Sequence, residues 1–495
     1  MRHFFLLTIA SLIVFTGCAQ TDSNRSISES GSESSTKAAK IPTTTASDEA
    51  RKEFLQGRDL AERLLIQDSI QHFDKATSLD QNFALAHLSR ANVSPTAKEF
   101  FDHLKTAVSL SDKASEGERL LILGTEAGAN GNLEKQKELL EKLVATYPND
   151  ERARFVLGGY YFGQQDFDTA IQHYKKATEL VPTYSPAFNI LGYALRQRES
   201  FGEAEEAFKK YIALIPNDPN PYDSLAELYL KMGRFDDAIT QYQKALSIDS
   251  NFINSHLGIG AALMYQGKTD EAAAEFNKIN SKARSDGERR AALFALTVLA
   301  TDGAKWDQAL SEVDRQYALG EKTSDAPNLA GDLQLRGNIL VEMGRFDEAR
   351  QAYDRSLKIT SESNLSPEIK DNATLFNHYN LARVALGKKD LVTAKMEAAE
   401  FRKGAEAKKN PNQVKQSHEL SGLIALEEKN YDQAIAELQQ TNLQNPQNLF
   451  RLAWAYESKG DADKAQEFYA KAARFNSLPQ VNYAFVRAKS AKAAA

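Results

Sequence analysis

Two consecutive stretches decide the fold: ERARFVLGGYYFGQQDFDTAIQHYKKATELVPTY, residues 151–184, and SPAFNILGYALRQRESFGEAEEAFKKYIALIPND, residues 185–218. Laid one over the other, they carry Leu157-Gly158 over Leu191-Gly192, Ala170 over Ala204, Tyr174 over Phe208 and Pro182 over Pro216. Within each, large residues recur three and four apart, which places them on one face of a helix. The small residues between them allow a second, antiparallel helix to approach closely. Each stretch therefore reads as a pair of packed helices.

The pattern extends in both directions. Units start at Gly117, Glu151, Ser185, Pro219 and Ile253, each 34 residues after the one before. The unit from Pro219 repeats the scheme with Tyr222, Leu225-Ala226, Tyr229, Ala238, Tyr242 and Ala245. Gly131, Gly233, Gly267, Gly344 and Gly460 fall where a first helix must end, a place that favours a residue able to turn left-handed. An aromatic-Asp pair follows, as in Phe167-Asp168, Phe235-Asp236, Trp306-Asp307, Phe346-Asp347 and Tyr431-Asp432. That Asp is expected to cap the second helix and complement its dipole.

The period and the offsets of Leu-Gly, Tyr, Ala, Phe and Pro resemble the tetratricopeptide repeat. The resemblance implies an all-α fold, an α-solenoid of about ten to twelve helix pairs in a right-handed superhelix. Weaker copies flank the regular core. Ala50 to Phe83 keeps Gly57, Leu60, Phe73 and Ala76, whereas the next window, with Pro95, is degenerate. A poor copy near Arg290 keeps Trp306 and Ala309, and the register slips around Gly320 to Gly331. Further units are placed near Ala330, Leu375, Lys415 and Pro446. The expected division is a first array over 49–320, most regular over 117–284, a linker at 321–329, a second array over 330–480 and a C-terminal capping helix over 481–495.

The N-terminus reads as an address. Met1-Arg2-His3 precedes an apolar run, Phe4 to Thr16, too short to span a bilayer comfortably but right for a secretory signal. Its exit, Phe15-Thr16-Gly17-Cys18, resembles the lipobox of bacterial lipoproteins, departing from it at Phe15, where an aliphatic residue is usual. The resemblance implies a signal peptide over 1–17 and lipidation at Cys18, the chain's one cysteine. Acyl chains contribute about 0.8 kcal/mol per buried methylene, so several make a firm anchor. Ala19 after the cysteine favours, by the same resemblance, the outer membrane facing the periplasm. Ordinary cleavage after Ala19 is the competing reading. From Cys18 to about residue 48 the chain is rich in Ser and Thr and poor in large apolar residues, which predicts a disordered tether.

Composition excludes several functions. The formal net charge is −6, with no basic excess to neutralise a phosphate backbone, so nucleic acid is not an expected partner. The eight histidines form no HExxH pair, and His87 and His103 have no matching carboxylates, so no metal is expected. Gly267-Lys268-Thr269 looks like the tail of a phosphate-binding loop, but Ala262 stands where the earlier glycine is required. No G-x-S-x-G elbow appears. Neither catalytic residues nor a cofactor are expected, and the chain reads as a scaffold, not an enzyme.

In tetratricopeptide repeats, positions 2, 5, 9, 12 and 13 of the first helix face the concave groove. The resemblance thus implies a groove lined by Arg152, Phe155 and Phe162, by Asn189, Tyr193 and Arg196, by Asp223 and Glu227, and by Leu257, Met264 and Tyr265. Aromatics, amides and both charges suit a protein or peptide segment. A carbohydrate or peptidoglycan ligand held by groove aromatics is the alternative. Some members grip a C-terminal carboxylate with two asparagines and several basic residues. Asn338 and Asn380 match the asparagines, but Gln334, Gln416 and Leu420 replace the basic residues, which speaks against that clamp.

Overall fold

The computed structural model describes residues 40–495. The expected signal peptide, Cys18 and residues 18–39 of the expected tether lie outside the described residues. The rest is twelve helix pairs stacked in chain order. Repeats 1 to 3 pair Asp48–Glu62 with Ile66–Leu79, Ala84–Asn92 with Ala97–Ser109, and Glu116–Ala129 with Leu133–Thr146. Repeats 4 to 6 pair Glu151–Gly163 with Phe167–Leu180, Ser185–Gln197 with Phe201–Leu214, and Pro219–Lys231 with Phe235–Ile248. Repeats 7 to 9 pair Ile253–Tyr265 with Thr269–Lys282, Asp286–Asp302 with Trp306–Thr323, and Ala326–Glu342 with Phe346–Glu362. Repeats 10 to 12 pair Pro367–Gly387 with Leu391–Lys408, Pro411–Glu427 with Tyr431–Leu438, and Pro446–Lys459 with Ala462–Ala473.

One contact recurs inside the pairs. In most repeats the eighth residue, counted from the unit starts above, is small, and the twenty-fourth is large and lies against it. Gly158 faces Tyr174, Gly192 faces Phe208, Gly337 faces Tyr353 and Gly422 faces Leu438. Tyr174 is 1% exposed, and Phe208 and Tyr353 are fully buried. Burying such an aromatic removes roughly 150–250 Å² from water, worth about 4–6 kcal/mol as an upper bound. A Cβ added at Gly192 would stand 2.6 Å from the Phe208 ring, so the approach that buries the ring depends on the missing side chain.

A second constraint recurs at the turn between paired helices. The fifteenth residue has a positive φ in eleven repeats: Leu64, Gly131, Gln165, Glu199, Gly233, Gly267, Ala304, Gly344, Lys389, Lys429 and Gly460. The turn geometry is common to glycine and non-glycine positions alike, so the stacked helices impose it, and the L-residues bear a local cost of about 1–2 kcal/mol. The Asp of each aromatic-Asp pair is not the cap. The second helices begin at the aromatic residue, and the side-chain cap, where present, precedes it, as Asp166 accepts from the Thr169 amide at 3.1 Å. Asp168 sits in the first turn, where it complements the dipole.

Several expected boundaries move. The tether does not run to residue 48, because residues 40–47 are packed on the solenoid. Ile41 is 3% exposed and its amide donates to Asp150 at 2.9 Å, while Thr44 reaches Glu118 and Thr45 reaches Asp80. One large apolar residue and a row of carboxylate acceptors suffice to order this short segment. No linker occupies 321–329: those residues belong to two long helices joined at Ser324-Asp325, with Ser324 left-handed at φ 52°. The stack is therefore continuous, not two arrays. The degenerate window with Pro95 is repeat 2, shortened because Pro95 stands in the turn just before its second helix. The expected C-terminal helix is two pieces, Val481–Ala484 and Arg487–Ala494.

Successive turns of the superhelix also touch. Arg63 of repeat 1 makes two 2.6 Å hydrogen bonds to Asp218 at the start of repeat 6. Ser366 and Asn372 of repeat 10 donate to Asn130 of repeat 3 at 2.8 and 3.1 Å. Gln165 of repeat 4 bonds Asn442 and Lys415 of repeat 11 at 2.8 and 3.1 Å.

Two substitutions test these constraints with opposite signs. Ala304 is exposed at a left-handed turn, so Ala304→Gly is expected to raise stability by about 1 kcal/mol. Gly192→Ala should gain about 1 kcal/mol from helix propensity, yet is expected to lose about 1–3 kcal/mol from the clash with Phe208. Urea denaturation reads both; stabilisation by the second change would mean that the Phe208 ring has room to move.

Candidate functional site

The first helices line the concave side, and their polar residues form a ladder between neighbouring repeats. Ser224 donates to Asn189 at 2.9 Å, and Ser255 donates to Asp223 at 2.7 Å. Tyr193 donates to Glu227 at 3.0 Å. Arg196 pairs with the same carboxylate at 3.1 Å and lies over the Tyr193 ring at 4.7 Å. Asn189, Tyr193, Arg196 and Glu227 are thus joined with Ser224 in one network between repeats 5 and 6, and Asp223 links repeats 6 and 7 through Ser255. Further along, Asn380 donates to Gln334 at 2.7 Å, and Arg383 and Tyr353 both donate to Asn338 at 2.8 and 3.0 Å. The two asparagines of the carboxylate-clamp comparison are therefore engaged within the ladder.

Other expected groove residues occupy different places. Phe155 is core, 3% exposed, packed between Tyr174 and Tyr184 with ring centroids 5.7 Å away from each. Leu257 and Met264 are each 3% exposed. Arg152 is 5% exposed and donates to the Ile41 carbonyl and to Asp150 at 3.3 and 3.4 Å, so the segment at 40–47 lies over it. Phe162 is half-buried against Phe167. Leu257, Met264 and Phe155 sit at groove positions by count, but their size drives them into the adjacent seam.

Tyr265 is covered by the C-terminus of the chain itself. After repeat 12 the backbone returns across repeats 6 to 9 and meets the thirteenth residue of each. Lys231 donates to the Phe475 carbonyl at 2.8 Å and sits over its ring at 4.2 Å. Tyr265 donates to the Ser477 carbonyl at 2.5 Å and packs on Tyr483, ring centroids 5.5 Å apart. Asp302 accepts a two-toothed pair from Arg487, and Glu342 pairs with Lys489 at 3.3 Å. Burial and the nearby Arg196 charge pull the Lys231 ammonium down to about 8.

Two features escaped the sequence reading. His256, His378 and His418 are each the fourth residue of a repeat, and each meets the Glu nineteen residues on: Glu275, Glu397 at 2.6 Å and Glu437 at 2.6 Å. Scattered by sequence, these histidines are struts joining paired helices; the shared spacing was the available signal. Trp454 holds position 9 of repeat 12 and is 40% exposed, the place that Tyr193 and Glu227 hold in repeats 5 and 6. His87 and His103 do stack, 6.1 Å between ring centroids, but no group of three or more metal-ligating residues exists among the described residues. Gly267 is one of the left-handed turns, which accounts for the phosphate-loop likeness.

The ladder ends in a buried ion pair. Arg451 meets Glu419 at 2.5 Å, their side chains 13% and 5% exposed. Burial pushes the Glu419 carboxyl up, but Arg451, the Tyr379 hydroxyl and Arg383 hold it below its ordinary range. A carboxyl lowered in the folded state contributes stability above its unfolded pKa and loses it as pH falls. Arg451→Gln is accordingly expected to cost about 3 kcal/mol at pH 7. The loss should shrink near pH 4, where the orphaned Glu419 takes up a proton; thermal unfolding at both pH values measures it, and an equal loss at both removes the charge argument.

The family comparisons agree with this geometry. A model described as a TPR repeat matches residues 226–267, and one described as a tetratricopeptide repeat-like domain matches 253–374. Tetratricopeptide repeat models match 123–185, 185–218 and 446–477. No curated protein matches the chain significantly. Among solved structures, a MamA protein is 29% identical over 34% of this chain and 91% of its own, TM-score 0.29. A thermophilic TPR protein of Thermus thermophilus is 26% identical over 33% and 92%, TM-score 0.30. The human IFIT1 dimer with PPP-AAAA is 15% identical over 86% and 88%, TM-score 0.37. The family matches and the stacked helix pairs agree: this chain is built of tetratricopeptide repeats and folds as an α-solenoid.

Proposed function

We propose that the chain is a scaffold that binds other proteins at the bacterial cell envelope, anchored through lipid at Cys18 and facing the periplasm from the outer membrane. The observation that carries the binding role is the inner face of the stacked repeats, whose polar groups are fixed by hydrogen bonds and ion pairs between neighbours in repeats 5 to 7 and 9 to 12. A rigid face loses little entropy when a partner docks. The lipobox-like Phe15-Thr16-Gly17-Cys18 supports the anchor. Trp454 supplies an exposed aromatic of the kind that anchors protein interfaces.

Two measurements test the reading. Mass spectrometry of the mature N-terminus is expected to find an acylated Cys18; an unmodified cysteine removes the anchor. Affinity capture from solubilised envelopes is expected to recover a defined protein complex, reduced at least tenfold by Trp454→Ala with the circular dichroism unchanged. Recovery on cell-wall polymer alone would replace a protein partner by a carbohydrate one. Arg152, buried under residues 40–47, is unsuited to such a test.

A further inference from the structure

The thirteenth residues of repeats 6 to 9 form a graded rail: Lys231, Tyr265, Asp302 and Glu342. The segment lying on it is graded to match. Phe475 and Ser477 offer backbone carbonyls to the two donors, and Arg487 and Lys489 offer cations to the two carboxylates. Tyr483 fills the middle against Tyr265. The same repeat position, four times running, holds successive parts of one extended stretch, which is how a solenoid reads a linear ligand.

The stretch is anchored at its centre, where Tyr483, Ala484, Phe485 and Val486 are all 7% exposed or less, and is held more lightly towards its ends. Only Val481–Ala484 is helical between Ala473 and Arg487, and Asn476 takes a left-handed φ of 36°. The last helix, Arg487–Ala494, packs against Ala462–Ala473 yet contributes Ser490 as its one buried residue. Along the rail itself, the polar links just named are two hydrogen bonds to carbonyls, the two-toothed Arg487–Asp302 pair and the more exposed Lys489–Glu342 pair, the last of a kind that contributes little.

We propose that this rail is a second binding surface, built for an extended protein segment with an aromatic residue followed by two basic ones, and that Phe475–Lys489 occupies it until such a segment displaces it. The inference rests on the scaffold reading and adds to it a ligand chemistry and a built-in competitor. Exchange at the rail is separate from capture through Trp454, so either can fail alone.

The test uses the full chain and a fluorescently labelled synthetic peptide of residues 474–490. Wild type, with its rail occupied, is expected to bind the peptide weakly. Full chain carrying Tyr483→Ala and Arg487→Glu is expected to bind it at least tenfold more tightly, read by fluorescence anisotropy. Adding Asp302→Arg should abolish the gain, and a peptide carrying Arg487→Glu should restore binding to that chain. Where the double variant loses its helical circular dichroism, Arg487→Gln alone serves, with a gain of at least threefold expected. Equal peptide binding by wild-type and opened chains, absence of binding to the opened chain, or indifference to the charge at 302 would each overturn the proposal.

Discussion

The close approach of a small eighth residue to a large twenty-fourth one is the constraint from which the rest of the structure follows. Where Gly158 meets Tyr174 or Gly337 meets Tyr353, two helix axes are drawn together and an aromatic ring is taken out of water. The crossing so fixed sets where the first helix must stop, and the fifteenth residue then has to turn left-handed whether or not it is glycine. Leu64, Gln165, Glu199, Ala304, Lys389 and Lys429 accept that conformation because packing worth several kcal/mol outweighs a local cost of about 1–2 kcal/mol. Repetition of one angle from pair to pair makes a superhelix.

What was legible in the sequence is what this local constraint writes there. The period, the small residues, the paired aromatics and the turn glycines are all short-range, so the class of fold and the helix pairs of the regular core could be read directly. Repeats 2 and 8 were harder because Pro95 shortens one and the first helix of the other begins early, Asp286–Asp302, so that Arg290 follows Ile253 by 37 residues and not 34. The site was legible in part. Asn189, Tyr193, Arg196, Asp223 and Glu227 came together as neighbours at groove positions, whereas Phe155, Leu257 and Met264, at equivalent positions, turned inward. Counting gives a position on a helix; it does not say whether a large apolar side chain there finds a seam to fill.

Contacts between superhelical turns left no periodic trace. Asn130 with Asn372, Gln165 with Asn442 and Lys231 with Phe475 join residues more than 230 apart in sequence, and each depends on the accumulated curvature of many repeats. The docking of residues 40–47 is of the same kind: Ile41 and three short polar residues look like tether until Asp80, Glu118 and Asp150 are assembled beside them. The histidine struts lie between these extremes. Their nineteen-residue spacing is written in the chain, but it acquires meaning only once the two helices are known to be paired.

These long-range links change how the solenoid carries load. In an array whose units touch only their neighbours, stability is a sum of unit and nearest-neighbour terms, and the ends can open independently. Here repeats 3 and 4 are tied to repeats 10 and 11, and repeat 1 to repeat 6, so uncoiling at any point breaks hydrogen bonds at a distant one. The inner face is correspondingly committed: its amides, hydroxyls and carboxylates pair across repeats, and widening the lumen would strip those pairs as well as the links between turns. A partner therefore gains most where the chain's own occupancy is weakest, at an exposed aromatic such as Trp454 or towards the ends of the rail that the terminal segment covers. Curvature and occupancy are in this sense one property, because the tight coiling that stabilises the stack also decides which parts of its inner surface remain available.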